Sequence, residues 1–372
     1  MRTIAVLNQK GGVGKTTTVA NTSAALAASG ARVLVLDLDP QSHLTIHLGL
    51  EPQSLAQSSY RVLIQTSTID QDILMVRPNL WVLPANIDLV GAESELVSVV
   101  GREIILREAL ETIEDRFDYC LIDCAPSLGL LTLNALAAAQ EVLIPLQPHF
   151  LALQGFGKLL QTVEIVNKRI NPHLRVTGIL LCMFDTRASL PNEVKHDIED
   201  FLQNARGGGS AWEDAQMLPT FIRRNIKLAE APSYGKTIFE YEKDCNGAQD
   251  YLKVAEFIAN MGKEDLTPEQ AAEDMALQPE SIPAPVHIEV QDTSKQTGQN
   301  LPDSLQKTGH SETTETTQMP MKPAPFKILE FEELHKPGRT REPHVQDVSA
   351  HPPAPDAVST EKTPPESPYS AW

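Results

Sequence analysis

A glycine-rich stretch at residues 9–17, Gln-Lys-Gly-Gly-Val-Gly-Lys-Thr-Thr, sets strong limits on how this chain can fold. An apolar segment at 2–8 precedes it and a helical pattern at 15–29 follows it, which is the strand, loop and helix context of a phosphate-binding loop. The glycines let backbone N–H groups turn towards phosphate oxygens, and the helix N-terminus adds about half a positive charge. We therefore expect a nucleotide to contact the loop residues Lys10, Gly11, Gly12, Val13, Gly14, Lys15, Thr16 and Thr17.

Two residues of this loop have separate expected roles. Lys15 is expected to reach the β and γ phosphates, which makes it a catalytic candidate, and the Thr16 hydroxyl is expected to ligate Mg²⁺. The cofactors that the motif predicts are therefore ATP and Mg²⁺.

Up to about residue 262, short runs rich in Val, Ile and Leu alternate with helical patterns, which is typical of a parallel sheet covered on both faces. The sequence predicts an α/β fold with a doubly wound, mostly parallel sheet. Predicted strands lie at 2–8, 32–38, 80–84, 117–123, 141–147, 175–184 and 217–222. Predicted helices lie at 15–29, 101–115, 153–170, 191–204 and 246–262, with Gly30 as a left-handed cap of the first.

Carboxylates follow two of the predicted strands. Asp37 and Asp39 end the apolar run 33–38, and alternation along a strand puts their side chains on one face. Asp123 ends the apolar run 117–123 in the manner of a Walker B strand, where a carboxylate holds Mg²⁺. Because open α/β sheets bind ligands at the carboxyl ends of their strands, we expect these side chains to lie beside the loop.

The loop departs from the common G-x-x-x-x-G-K-[ST] form, since Gln9 stands where glycine is usual and Lys10 precedes the double glycine. In this the sequence resembles the deviant Walker A ATPases of the ParA/MinD group. The resemblance implies that Lys10 acts in trans, reaching the partner's phosphates across a nucleotide-sandwich homodimer. It also implies that Asp39 positions the attacking water, while Asp37 belongs to the Mg²⁺ surroundings.

Three further blocks resemble the chromosomal ParA proteins, also called Soj: residues 37–41, 178–187 and 228–236. This resemblance covers about residues 1–260. It implies a slow, Mg²⁺-dependent ATPase whose ATP-bound dimers bind double-stranded DNA without sequence preference and are released when a ParB-type partner stimulates hydrolysis. Such a protein is expected in the cytoplasm, associated with the nucleoid. The resemblance implies that Arg187 and Lys227 bind DNA, and Arg223 and Arg224 lie beside them in the sequence.

Charge is spread unevenly over the chain, whose formal net charge is −18. Residues 264–372 carry −11 of this and are rich in proline, so we expect an ATPase domain at 1–263 followed by an acidic, disordered tail at 264–372. Within the tail, the apolar island 325–336 is either a docking peptide for an unknown partner or a chance cluster. Because the ATPase part is itself mildly acidic, DNA contact needs a local basic patch.

Two other functions remain open at this stage. One is a positioning ATPase of the same fold that acts on a protein cargo through the tail. The other is an electron-transfer protein resembling nitrogenase iron protein, which would need cysteines that bridge a cluster, whereas Cys120 and Cys124 flank a buried carboxylate strand. No apolar run reaches the roughly 18 residues that a membrane span needs, and the tail lacks a basic amphipathic helix, so no membrane partner is expected.

Overall fold

The computed structural model describes residues 1–149 and 152–264, and the structural statements below concern those residues. The strands are β1 Arg2–Val6, β2 Val33–Leu38, β3 Leu74–Arg77, β4 Leu80–Leu83, β5 Tyr119–Cys124, β6 Glu141–Leu146, β7 Arg175–Phe184, β8 Gln216–Met217 and β9 Ile222–Arg223. The α-helices are α1 Lys15–Ala28, α2 His43–His47, α3 Ser59–Leu63, α4 Ile69–Asp72, α5 Leu89–Glu95, α6 Ile105–Glu111, α7 Leu130–Ala138, α8 Ala152–Arg169, α9 Ser189–Ala205, α10 Ile226–Glu230, α11 Ile238–Tyr241 and α12 Asn246–Glu264.

The strands form one sheet in the order β3-β4-β2-β5-β1-β6-β7-β8, with β9 paired to β7 beyond the end of β8. Apart from the antiparallel β3–β4 pair, the neighbouring strands run parallel. The chain moves outward from β1 in both directions, which places the carboxyl ends of β1, β2 and β5 together at one edge of the sheet. The predicted doubly wound α/β fold is confirmed.

Both faces of the sheet are buried, as its near-continuous apolar strands predict. In β2, Leu34 and Leu36 face one core, which α6, α7, α8 and α9 cover, whereas Val33 and Val35 face the other, which α1 and α12 cover. Tyr251 of α12 is fully buried in the second core, where its hydroxyl lies 3.3 Å from Thr18 Oγ1. Helix α1, which follows the phosphate loop, is thereby held against α12.

Several predicted elements need correction. Residues 217–222 do not form one strand, because the chain pairs briefly with β7 at β8, leaves it, and pairs again at β9. The helix predicted at 101–115 begins only at Ile105 and gives way to a 3₁₀ turn at Glu114–Arg116. Strand β3 was missed, since it is a part-exposed antiparallel edge strand of only four residues. Gly30 has φ +99°, as its predicted cap role requires.

The part of the chain covering 1–149 and 152–264 contains no helix that is long and apolar enough to cross a membrane. The predicted tail, with its docking peptide at 325–336, lies outside the described residues except for Glu264, the last residue of α12. The domain boundary at 263 and the role of the tail stay predictions.

Candidate nucleotide site

The phosphate loop lies between β1 and α1, as predicted. Gly12 and Gly14 have φ values of +74° and +98°, a left-handed conformation that L side chains rarely adopt. Gly14 also faces the sheet, because a Cβ atom there would lie in van der Waals contact with the Cys182 sulfur of β7, at 3.5 Å. Its carbonyl accepts a hydrogen bond from Thr18 N at 2.8 Å, which starts α1. The glycines therefore expose backbone N–H groups at a helix N-terminus, and this geometry suits an anion such as phosphate.

The two lysines of the loop lie in different environments. Lys15 is buried, with only 7% of its surface exposed, and its Nζ lies 3.5 Å from the Lys10 carbonyl oxygen. Lys10 is exposed, and its side chain contacts His149 Nε2. Asn8 positions the Lys10 backbone, since its Oδ1 accepts from Lys10 N at 2.9 Å while its Nδ2 donates to the Pro145 carbonyl at 2.7 Å. Lys15 thus points into the site, and Lys10 lies at its rim.

Thr16 and Asp123 meet as the metal prediction requires. The Thr16 hydroxyl donates to Asp123 Oδ2 at 2.7 Å. The other carboxylate oxygen, Oδ1, is buried and has no hydrogen-bond partner among the described residues. Since a buried carboxylate oxygen without a partner costs free energy, this atom marks a place for a cation or a donor. A carboxylate beside a hydroxyl is a set of hard oxygen donors of the kind that Mg²⁺ prefers.

Asp37 lies next to Asp123 on the adjacent parallel strand, since the two are paired in the β2–β5 register. Its Oδ2 accepts from both the backbone N and the Oγ1 of Thr45, at 2.9 and 2.7 Å, and its Oδ1 accepts from Asp39 N at 3.2 Å. Asp39 is 9% exposed and accepts from Gln41 N at 3.0 Å. Asp37 is therefore held by α2 in the surroundings of Asp123, and Asp39 follows at the strand end.

Burial dominates the electrostatics of these carboxylates. It raises the pKa of Asp37 from 3.8 to about 6, against the hydrogen bonds from Thr45, which lower it. Burial, followed by the negative charge of Asp37, raises the pKa of Asp123 well above its ordinary value, whereas Lys15 acts in the opposite direction. Two buried carboxyl groups held side by side repel each other when both are ionised, and a bound divalent cation removes that repulsion.

The 228–236 block packs against α2, the helix that holds Asp37. Gly49 and Gly235 touch backbone to backbone, so closely that a Cβ on Gly235 would lie 2.6 Å from Gly49 Cα. Arg77 spans the same contact, because it donates to the Leu48 and Gly235 carbonyls, both at 3.1 Å, and forms a bidentate ion pair with Glu240. This packing explains why the block requires a glycine at position 235.

The four predicted DNA-binding residues differ in their exposure and in whether they form ion pairs. Arg187 and Arg224 are exposed. Arg223 forms a bidentate ion pair with Asp250, whose side chain is 4% exposed. Lys227 also forms an ion pair, since its Nζ lies 2.9 Å from Glu230 Oε2. Because a paired cation offers less positive potential to a phosphate, Arg187 and Arg224 are better placed than the other two.

The described cysteines are all free thiols, and Cys120, Cys124 and Cys182 are buried. Burial raises the pKa of Cys182 to about 12 and those of the other two above their ordinary range. These thiols are packing residues, as predicted for Cys120 and Cys124, because a protonated buried thiol neither reacts nor bridges a cluster readily.

Sequence reasoning missed several residues that shape the site. Thr45 lies on α2, too short a helix for a periodic pattern, although a threonine eight residues after Asp37 is visible in the sequence. His149 reaches the loop through the pairing of β1 with β6, and the same pairing brings Asn8, which directly precedes the loop, to the Pro145 carbonyl. Arg77 lies on the missed strand β3. None of these roles follows from local sequence, since each depends on tertiary contacts.

Comparison with known proteins places the chain among partitioning ATPases. A family model described as an AAA domain matches residues 1–176. The sporulation initiation inhibitor protein Soj of Bacillus subtilis is 43% identical over 261 residues, which cover 70% of this chain and 98% of that protein. The chromosome-partitioning ATPase Soj of Treponema pallidum is 42% identical over 265 residues, 70% of this chain and 99% of that protein.

Solved structures agree on the fold. Cobyrinic acid a,c-diamide synthase from Mycobacterium smegmatis, solved with an ATP analogue and magnesium, is 37% identical with a TM-score of 0.61, over 72% of this chain and 97% of that one. The cell division ATPase MinD of Pyrococcus furiosus is 26% identical with a TM-score of 0.56, over 70% and 99%. The chain has the phosphate loop and the paired carboxylates described above, and its match covers nearly the whole of both Soj proteins. The chain therefore belongs to the Soj/ParA family of chromosome-partitioning ATPases.

Proposed function

We propose that the chain is an ATP-dependent switch that dimerises on binding ATP, binds double-stranded DNA without sequence preference, and hydrolyses ATP when a ParB-type partner stimulates it. The cycle would drive segregation of a chromosome or plasmid and would place the protein on the nucleoid. Family membership supports the segregation ATPase. The dimer, the DNA and the partner are inferences from the residues of the site.

The observation that carries the proposal is the group formed by Lys15, Thr16, Asp37 and Asp123. Two buried carboxylates lie in register on neighbouring strands, and Asp123 Oδ1 has no hydrogen-bond partner among the described residues. Thr16 and Asp123 are the residues that would hold Mg²⁺, with Asp37 beside them. A bound Mg²⁺ would neutralise the carboxylates and the phosphate oxygens that share it. The site therefore fits a nucleoside triphosphate with its metal.

Hydrolysis needs a group that orients water and a positive charge that stabilises the transition state. Asp39 is suited to the first role, because it lies just past the end of β2 and retains 9% of its surface exposed. Lys10 is suited to the second, because its side chain is exposed at the rim while Lys15 fills the interior of the loop. Such a charge supplied from a partner is worth roughly 10³ to 10⁵ in rate, so hydrolysis without a correctly assembled dimer would be slow.

DNA binding would depend on a small basic patch, since residues 1–263 carry a net charge of −7. Arg187 follows the carboxyl end of β7, and Arg224 follows β9. Both ends lie at the carboxyl edge of the sheet, which is the edge that carries the phosphate loop. Contacts from these residues would be directed to the DNA backbone and would weaken steeply with salt.

Retention of the full chain on immobilised double-stranded DNA tests the proposal. The wild-type protein should be retained with ATP and Mg²⁺, released by ADP, and lost between about 50 and 200 mM salt. Lys15→Ala should abolish retention, and Arg187→Ala should weaken it. Arg169→Ala is a matched control, because Arg169 is equally exposed but ends α8 at the opposite edge of the sheet. Retention that does not depend on ATP or Lys15 would refute the switch.

A further inference from the structure

The contact between Lys10 and His149 joins two segments whose backbones are fixed. Asn8 bridges Lys10 N and the Pro145 carbonyl, which ties the loop to the end of β6. The His149 carbonyl accepts from Ala152 N at 2.8 Å, which ties His149 to the start of α8. Both backbones are therefore anchored where the Lys10 ammonium and His149 Nε2 are in contact.

The chemistry of this contact defines the state of the imidazole. A lysine ammonium only donates hydrogen bonds, so His149 Nε2 must be an unprotonated acceptor, with the proton of the neutral ring on Nδ1. Burial and then the charge of Lys10 lower the pKa of His149 below its ordinary value. Among the described residues, Lys10 is the charged side chain that shifts the pKa of His149. Asn8 and Pro145, which lie beside this contact, are neutral. His149 is therefore neutral at physiological pH.

We propose that His149 is a positioning residue that holds Lys10 against its own subunit until the ATP-bound dimer forms. The inference rests on the proposed function, in which Lys10 reaches the phosphates of the partner. In that dimer Lys10 would leave its own His149 for the partner's nucleotide, so the Lys10–His149 contact would break in each subunit. Protonation of His149 removes the acceptor and repels the ammonium, which releases Lys10 without a partner.

The size of the effect follows from the exposure of the contact. A hydrogen bond between a charged donor and a neutral acceptor at the surface is worth about threefold in an equilibrium. A two-fold symmetric dimer breaks two of them, so removal of the imidazole should lower the dimer dissociation constant about tenfold.

Sedimentation velocity of the full chain with Mg²⁺ and a non-hydrolysable ATP analogue measures this constant. At pH 8, His149→Ala should dimerise about tenfold more tightly than wild type. His149→Gln, which keeps a neutral acceptor, should stay near wild type. So should His196→Ala, the matched control, because His196 is an exposed histidine of α9 that faces Asp200. At a pH well below the ordinary pKa of histidine, the wild-type constant should approach that of His149→Ala as the imidazole gains a proton.

The same comparison in a Lys10→Gln variant tests whether Lys10 is the residue through which His149 acts. In Lys10→Gln, the His149→Ala change should no longer alter the dimer dissociation constant. Equal constants for wild type and His149→Ala at both pH values, or the same tenfold change in the Lys10→Gln background, would overturn the inference. If the wild-type chain fails to dimerise at all, the proposed function fails instead.

Nuclear magnetic resonance of the monomer tests the Lys10–His149 contact even if the chain does not dimerise. The His149 imidazole should titrate at a higher pKa in Lys10→Gln than in wild type, since the lowering charge has been removed. An unchanged His149 pKa would show that the two side chains do not interact.

Discussion

Replacing Asp37 by asparagine tests the electrostatic account of the site on the protein without nucleotide or metal. The pKa of Asp37 rises from 3.8 to about 6, chiefly through burial. At about 1.4 kcal/mol per unit, the ionised carboxylate costs about 3 kcal/mol of folding free energy. Between these two pKa values the folded protein keeps a proton that the unfolded chain has released. The free energy of unfolding therefore falls as pH rises through this window and stays low above it.

Asparagine removes the charge but keeps only one acceptor oxygen. That oxygen can take both hydrogen bonds from Thr45, which leaves Asp39 N facing an amide donor at a cost of about 1–2 kcal/mol. The net expectation is that Asp37→Asn is about 1–2 kcal/mol more stable than wild type at pH 7.5. Near pH 4, where the wild-type carboxyl is largely protonated, this advantage should disappear.

Urea denaturation of the full chain in EDTA, at both pH values, measures the difference between variant and wild type. Asp72→Asn is a matched control, because Asp72 is equally buried but lies 3.4 Å from the guanidinium of Arg61. Breaking that pair should destabilise the protein at pH 7.5. If Asp37→Asn is less stable than wild type by the same amount at both pH values, the buried charge is not the source of the cost.

Two further substitutions test the packing around the site. Gly235→Ala should destabilise the protein by about 2–4 kcal/mol in the same urea assay, since its Cβ would collide with Gly49 Cα at 2.6 Å. Gly207→Ala, also at positive φ but in open space, should cost only about 1 kcal/mol. Similar losses of stability for both variants would refute the close approach of Gly235 to Gly49. Arg223→Ala should lower thermal stability more than ATP-dependent DNA retention, because its guanidinium is paired with Asp250; a large loss of retention with unchanged stability would show instead that Arg223 binds DNA.

The parts of the site that could be predicted are those that one continuous segment encodes. The loop from Lys10 to Thr17 carries its strand, its glycines and its helix in a single stretch, so its form followed directly from the sequence. Asp123 could be predicted because an apolar strand that ends in a carboxylate is a local pattern. Its pairing with Thr16 required only that two parallel strands end at the same edge of the sheet.

The contacts that hold these residues in place could not be predicted in the same way. Thr45 meets Asp37 because α2 turns back over the end of β2, and that turn begins at Ser42, which has a left-handed φ of +55° without being glycine. Likewise, the ion pair of Arg223 with Asp250 joins residues 27 positions apart, so the sequence showed a basic residue and not its partner. Charge along a chain indicates a patch, but only the fold shows which cations are already neutralised.

Mixing two inactive variants tests whether Lys10 acts in trans. Lys10→Ala keeps its own nucleotide site but supplies no lysine to a partner, whereas Asp39→Ala supplies Lys10 but cannot orient water. Each variant alone should hydrolyse ATP at only a basal rate with double-stranded DNA and a ParB-type protein present.

Mixed in equal amounts, the two variants should recover about a quarter of the stimulated wild-type rate, because half of randomly paired dimers are mixed and each of these has one complete site. The measurement is the initial rate of phosphate release, with nucleotide binding by Lys10→Ala confirmed as unchanged. Recovery in the mixture is expected if Lys10 acts in trans. A mixture no faster than the separate variants, or normal stimulation of Lys10→Ala by itself, would contradict it.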